Sequence, residues 1–108
     1  MSVFMLVHLR IARGKKRLFE EALTEYLPIL EGEGWKLRGA WEVRLGDLDM
    51  VYDFWEMPDA SHVMSVLEKA SQNPASRHIG AKIAECVLEE KLEILTNLSY
   101  SPMAYELT

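Results

Sequence analysis

The stretch that most constrains this fold runs from Gly39 to Met57, GAWEVRLGDLDMVYDFWEM, because it writes out a hairpin and carries two tryptophans. Between Trp35 and Leu45 the odd positions are Trp35, Leu37, Gly39, Trp41, Val43 and Leu45, and the even ones are Lys36, Arg38, Ala40, Glu42 and Arg44. A period of two predicts a strand with one apolar face. Gly46, Asp47, Leu48 and Asp49 supply turn chemistry, since glycine tolerates positive φ and aspartate side chains bond their own backbone. A second strand, Met50 to Met57, follows and stops at Pro58, which has no N–H for a ladder.

At 108 residues the chain is read as a single domain, 1–108, with one core and a modest buried fraction that partner subunits would improve. Its formal charge of -5 argues against nucleic acid as a partner, because phosphate neutralisation needs a basic face. The one basic cluster, Lys15, Lys16 and Arg17, falls where a helix should start and reads as a solvated patch. Cys86 stands alone, so no internal disulfide is expected and a reducing, cytoplasmic location follows. The opening MSVFMLVHLR has no basic leader region and its apolar run is broken by His8 and Arg10. It reads as a first strand, with no membrane association expected.

That strand covers roughly Val3 to Ile11. Leu18, Phe19, Ala22, Leu23, Tyr26, Leu27 and Leu30 then recur at helical spacing, and Pro28 is expected to kink or end this helix near Leu27. A second helix, capped by Asp59 or Ser61, should bury Val63, Met64, Leu67 and Ala70. Asn73 and Pro74 break and restart the chain as cap and first residue of a third helix, with Ile79, Ile83 and Val87 inward. A fourth strand lies within Leu88 to Leu98, centred on Leu92 to Asn97. The order βαββαβ predicts an α+β, ferredoxin-like antiparallel sheet with strands one and three central and helices on one face. Strands one and three are apolar on both sides, so the face away from the helices should meet the sheet of a second copy.

These residues resemble the NIPSNAP family of the dimeric α/β-barrel superfamily. The similarity rests on Gly14 and Lys15, on Leu27 to Glu31 running to Gly34, and on Gly39, Ala40 and Trp41. It continues through Gly46, Leu48 and Trp55 to Asn73 with Pro74 and Ser101 with Pro102. The resemblance implies a homodimeric barrel, or a larger homo-oligomer, with no defined reaction. Two departures stand out: Met5, Leu6 and Val7 replace a polar pattern in strand one, and Ser76 and Arg77 stand where an aromatic is common.

Four polar or aromatic positions on covered strands, Arg10, Arg38, Asp53 and Trp55, are the candidate ligand contacts. If they converge with His8 inside the barrel they would bind a polar or anionic small molecule, His8 serving as acid or base. The simpler reading is an interfacial ion pair of Arg10 or Arg38 with Asp53 or Glu42, and core or interface roles for Trp41 and Trp55. His78 is a second catalytic candidate by likeness to haem-degrading monooxygenases of the superfamily, which place a histidine before the last strand. His62 reads as a surface residue. No metal spacing, phosphate-cradling glycine motif or nucleophile elbow is present, so neither metal nor cofactor is expected. The expectation is a dimeric barrel with a small molecule between its two sheets, against the alternative of a cofactor-independent or haem-using monooxygenase.

Overall fold

The computed structural model describes residues 2–103. Its elements are β1 (Val3–Ile11), α1 (Lys16–Gly32), β2 (Lys36–Glu42), β3 (Met50–Met57), α2 (Ser61–Gln72), α3 (Pro74–Cys86) and β4 (Val87–Leu95). The strands form one antiparallel sheet in the order β2-β3-β1-β4, as the ferredoxin-like reading requires. The helices cover one face. Met5, Val7, Leu9 and Ile11 of β1 and Val51, Trp55 and Met57 of β3 pack there with Phe19, Leu30, Val63, Val66 and Cys86. Trp35, just before β2, meets Trp55 edge to face at 5.5 Å, an arrangement that adds about 1 kcal/mol beyond area burial. Among the described residues no helix is long and apolar enough to cross a membrane.

Local chemistry explains the element ends. The Asn73 carboxamide accepts from the N–H of Ala75 and Ser76, and Pro74 follows in the first turn, as the sequence predicts. Asp59 Oδ1 accepts from the Ser61 hydroxyl and the His62 N–H at the start of α2. His62 is half-buried and is not the free surface residue expected of it. Its Nε2–H donates to the Glu33 carbonyl at 2.5 Å, and its own carbonyl accepts from the Trp35 indole at 3.4 Å. That pair of bonds ties α2 to the α1–β2 connection. Gly34, with φ of 101°, must lack a side chain because a Cβ would lie 2.8 Å from His62 Nε2.

Four expectations need correction. First, α1 neither ends nor breaks at Pro28 but continues to Gly32. The carbonyl that Pro28 cannot serve belongs to Thr24, and both residues are exposed, so water can take the place of the missing donor. Second, the period of two does not hold through β2: a bulge between Leu37 and Gly39 swaps the faces. Leu37 and Ala40 turn towards the helices and Trp41, registered opposite Tyr52, turns away, while Leu45 lies beyond the strand and is 95% exposed. Third, α2 buries Val63, Val66 and Ala70, leaving Met64 and Leu67 exposed. Fourth, β4 starts at Val87, directly from α3, and stops at Leu95.

Candidate ligand-binding site

Helix α1 packs mainly on α3 and touches β2 sparsely, so the helix layer stands open above the β2 side of the sheet. The opening is a cleft of about 370 Å³ whose walls include Phe19, Leu23 and Leu27 of α1, Leu37 and Ala40 of β2, and Val51 and Asp53 of β3. Lys16, Glu20 and Glu42 also line it. Farther in, between α1 and the sheet, lies a second space of about 120 Å³, lined by Phe19, Tyr26, Trp35, Trp55, Leu67 and Leu92 among others. Phe19, Leu23 and Asp53 border both spaces, so Asp53 stands in the wall between the two. Ala40 is why the space survives, since its methyl stands opposite Asp53 where a larger side chain would reach α1.

Asp53 and Ser76 each leave a buried side-chain oxygen unpartnered among the described residues, and of the two only Asp53 is ionisable. It is 3% exposed, sits between Val7 of β1 and Ala40 of β2, and its Oδ1 has no hydrogen-bond partner among the described residues. Native structures leave few buried oxygens unpaired, because each forfeits its hydration without return. Burial, with the negative charge of Glu90 second, pushes the carboxyl up to about 6. The group therefore exchanges a proton near neutrality in an aromatic-walled cleft. Glu90 of β4 borders the inner space as the second acidic side chain.

The structure divides the other sequence candidates. Trp55 is on the helix side, 2% exposed, beside Asp53's space. His8 and Arg10 are on the opposite face of the sheet, in register with Tyr52 and Met50. His8 Nε2 lies 2.6 Å from Glu93 Oε1, and Arg10 donates twice to the Asp47 carboxylate, at 2.6 and 3.1 Å. Arg38, at the bulge, donates to Glu56 Oε1 from Nε at 2.6 Å and is 2.5 Å from it at Nη2. Glu56 is almost buried; burial raises its carboxyl, but hydrogen bonds from Ser2 and Arg38 outweigh that and hold it below the ordinary range. The arginines therefore find Asp47 and Glu56, not Asp53 or Glu42. His78 is exposed on α3 and borders neither space, so His8, His78 and Asp53 do not meet.

Residues 4–102 match the NIPSNAP family. The chain belongs to the NIPSNAP family. No curated protein matches it in sequence. Among solved structures, a NIPSNAP family protein from Agrobacterium tumefaciens superposes with a TM-score of 0.85 at 16% identity, covering 95% of this chain and 99% of that one. A NIPSNAP domain protein from Burkholderia xenovorans is 25% identical, with a TM-score of 0.77 and coverage of 94% and 99%. SnoaB, a cofactor-independent oxygenase from Streptomyces nogalater, has the same fold at 12% identity, with a TM-score of 0.73 over 94% of this chain and 97% of that one.

Several lining residues of this NIPSNAP chain are invisible to sequence reasoning as site residues. Phe19, Leu23 and Leu27 are legible only as a helix stripe, and a stripe does not reveal that part of it lacks a partner. Glu90 comes to the site because β4 pairs Glu90 with Leu9, a register that no turn or motif in the sequence specifies. The usable signal was Asp53, a lone carboxylate in a strand otherwise apolar on that face.

Proposed function

We propose that this NIPSNAP protein is a homodimeric small-molecule-binding protein whose ligand enters between α1 and the sheet, within each subunit, and engages Asp53. The carrying observation is the buried Asp53 oxygen, unpartnered among the described residues, in the shared wall of two adjoining spaces. A carboxylate so placed weakens the free protein, and such a cost is characteristic of binding and catalytic sites. This reading moves the ligand from between the two sheets of a dimer to the helix side of one. Arg10 and Arg38 then serve the subunit's own ion pairs, and Trp55 lines the pocket.

Support for pairing comes from the sheet's uncovered face. Leu6, Tyr52 and Phe54 are only half-buried there, Trp41 is 56% exposed, and the molecule is a slab 18 Å in its thinnest dimension. Several polar groups on the same side are already paired within the subunit, His8 with Glu93 and Arg10 with Asp47 and Glu89, while Lys91, in register with His8, makes no ion pair among the described residues. A second copy related by a two-fold axis would cover aromatic surface without breaking those pairs.

A second reading, oxygenase chemistry, has one observation in its favour besides the shared fold of SnoaB. Asp53 titrates near 6, within the range of a general base, and faces an apolar space where a substrate proton could be taken. On that reading Asp53 is the base, in place of His8 or His78.

The test of binding is a small-molecule screen by thermal shift on the full chain and on Ala40→Trp, which fills the cleft. Ligands of the folded state raise its melting temperature. The expected result is a set of compounds that stabilise the natural chain and lose most of that effect in Ala40→Trp. Stabilisation that persists undiminished in the filled variant would place binding elsewhere and overturn the proposal.

A further inference from the structure

The chemistry of the cleft narrows the ligand class, and this step rests on the binding role proposed above. Three elements bring further ionisable groups to the lining around Asp53. Helix α1 brings Lys16, Glu20 and Tyr26, β2 brings Glu42, and β4 brings Glu90. Of these, Lys16 is the single cation, and it is already held at the mouth by Glu42, at 3.2 Å, and by the Leu48 carbonyl, at 2.9 Å. The inner space is left with the buried carboxyl of Asp53, the solvent-exposed carboxyl of Glu90 at its β4 edge, aromatic walls and no positive charge among its lining residues. An anion would meet Asp53 and Glu90 as like charges. A neutral ligand could at best donate a hydrogen bond to Asp53 and would bring no counter-charge. A cation is matched by both features, since carboxylates supply the counter-charge and aromatic rings attract ammonium groups by their quadrupole.

We propose that the ligand is a small organic cation, a protonated or quaternary amine on an apolar body, held by Asp53 and Glu90 among the rings of Phe19, Tyr26, Trp35 and Trp55. The inner volume of about 120 Å³ suits the charged head, and the outer cleft of about 370 Å³ takes the apolar remainder.

Three probes of one shape and different charge test this: benzylamine, benzyl alcohol and benzoate, titrated into the isotopically labelled full chain near neutral pH. The indole N–H resonances of Trp35 and Trp55 report on the inner space. Benzylamine should shift both saturably and bind about tenfold or more tighter than benzyl alcohol, with benzoate weakest. Its advantage should fall in Asp53→Asn and in Glu90→Gln, and should fade as the pH is lowered through about 6, where Asp53 takes up a proton. Equal or tighter binding of benzyl alcohol or benzoate at those indoles would overturn the cationic assignment while leaving the cleft a binding site. Failure of benzylamine to shift either indole would overturn it too, with the cleft then judged by the Ala40→Trp comparison. A benzylamine preference that survives in both variants would show that the carboxylates do not confer it.

Discussion

At the scale of single residues Asp53 decides most, and its energetics fix a sign. Unfolded, the carboxyl titrates near its ordinary 3.8; folded, burial first and Glu90 second hold it at about 6. Between those values the folded state keeps a proton that the unfolded chain has released, so stability falls as pH rises through the window and levels off above it. The loss is roughly 3 kcal/mol, about one fifth or more of the net stability of an ordinary domain. Asp53→Asn removes the titration. The variant should melt several degrees above the natural chain at about pH 7.5, and the gain should shrink towards zero at about pH 4.5. An identical change at both pH values, followed by calorimetry, would mean that Asp53 carries no excess burial cost. Arg38 and Glu56 show the contrasting case, in which a nearly buried carboxylate is compensated and its affinity for protons falls. The sequence holds both acids on one strand, Asp53 and Glu56, three residues apart. What separates them is opposite sheet faces, with an arginine reaching only one.

At the scale of elements, legibility follows how local the deciding interaction is. The β3 bounds and the Asn73–Pro74 restart were readable because turns and caps act over a few residues, and the strand order because the hand of a crossover is nearly invariant. The bulge at Arg38 was not, because alternation from Trp35 to Leu45 continues unbroken in the letters while the ladder slips by one. Its consequence is large: Ala40, not Trp41, faces α1, and a cleft exists where a tryptophan would have filled it. Pro28 misled for a related reason. Its cost in a helix depends on whether the orphaned carbonyl is reachable by water, and that is set by which side of α1 meets the core. Strands β1 and β3 are apolar on both sides, so parity alone could not say which set the helices would cover. Asp53 and Trp55 were therefore legible as candidates, but their side of the sheet was not. Their separation from His8 and Arg10 needed the three-dimensional register.

At the scale of the whole molecule the two faces of the sheet carry different tasks. The helix side encloses the cleft, and the uncovered side presents Leu6, Tyr52, Phe54 and Trp41 for pairing. Phe54 stacks on Phe4 with ring centroids 5.2 Å apart and remains half-buried, so a charge there meets the partner before it meets the core. Phe54→Lys should convert a dimer into a folded monomer in sedimentation, with helical circular dichroism retained. A natural chain that sediments as a monomer would contradict the pairing. The same substitution at Met5, which is 1% exposed beneath the helices, should instead abolish folding. Because the cleft lies within one subunit, Phe54→Lys should leave Asp53's environment intact. The carboxyl carbon of Asp53, followed by carbon-13 NMR across the acid range in the ligand-free protein, reports that environment most directly. A midpoint near 6, well above an ordinary aspartate, is expected, and a midpoint at or below 3.8 would contradict the ligand site by showing a carboxylate that is solvated or already paired.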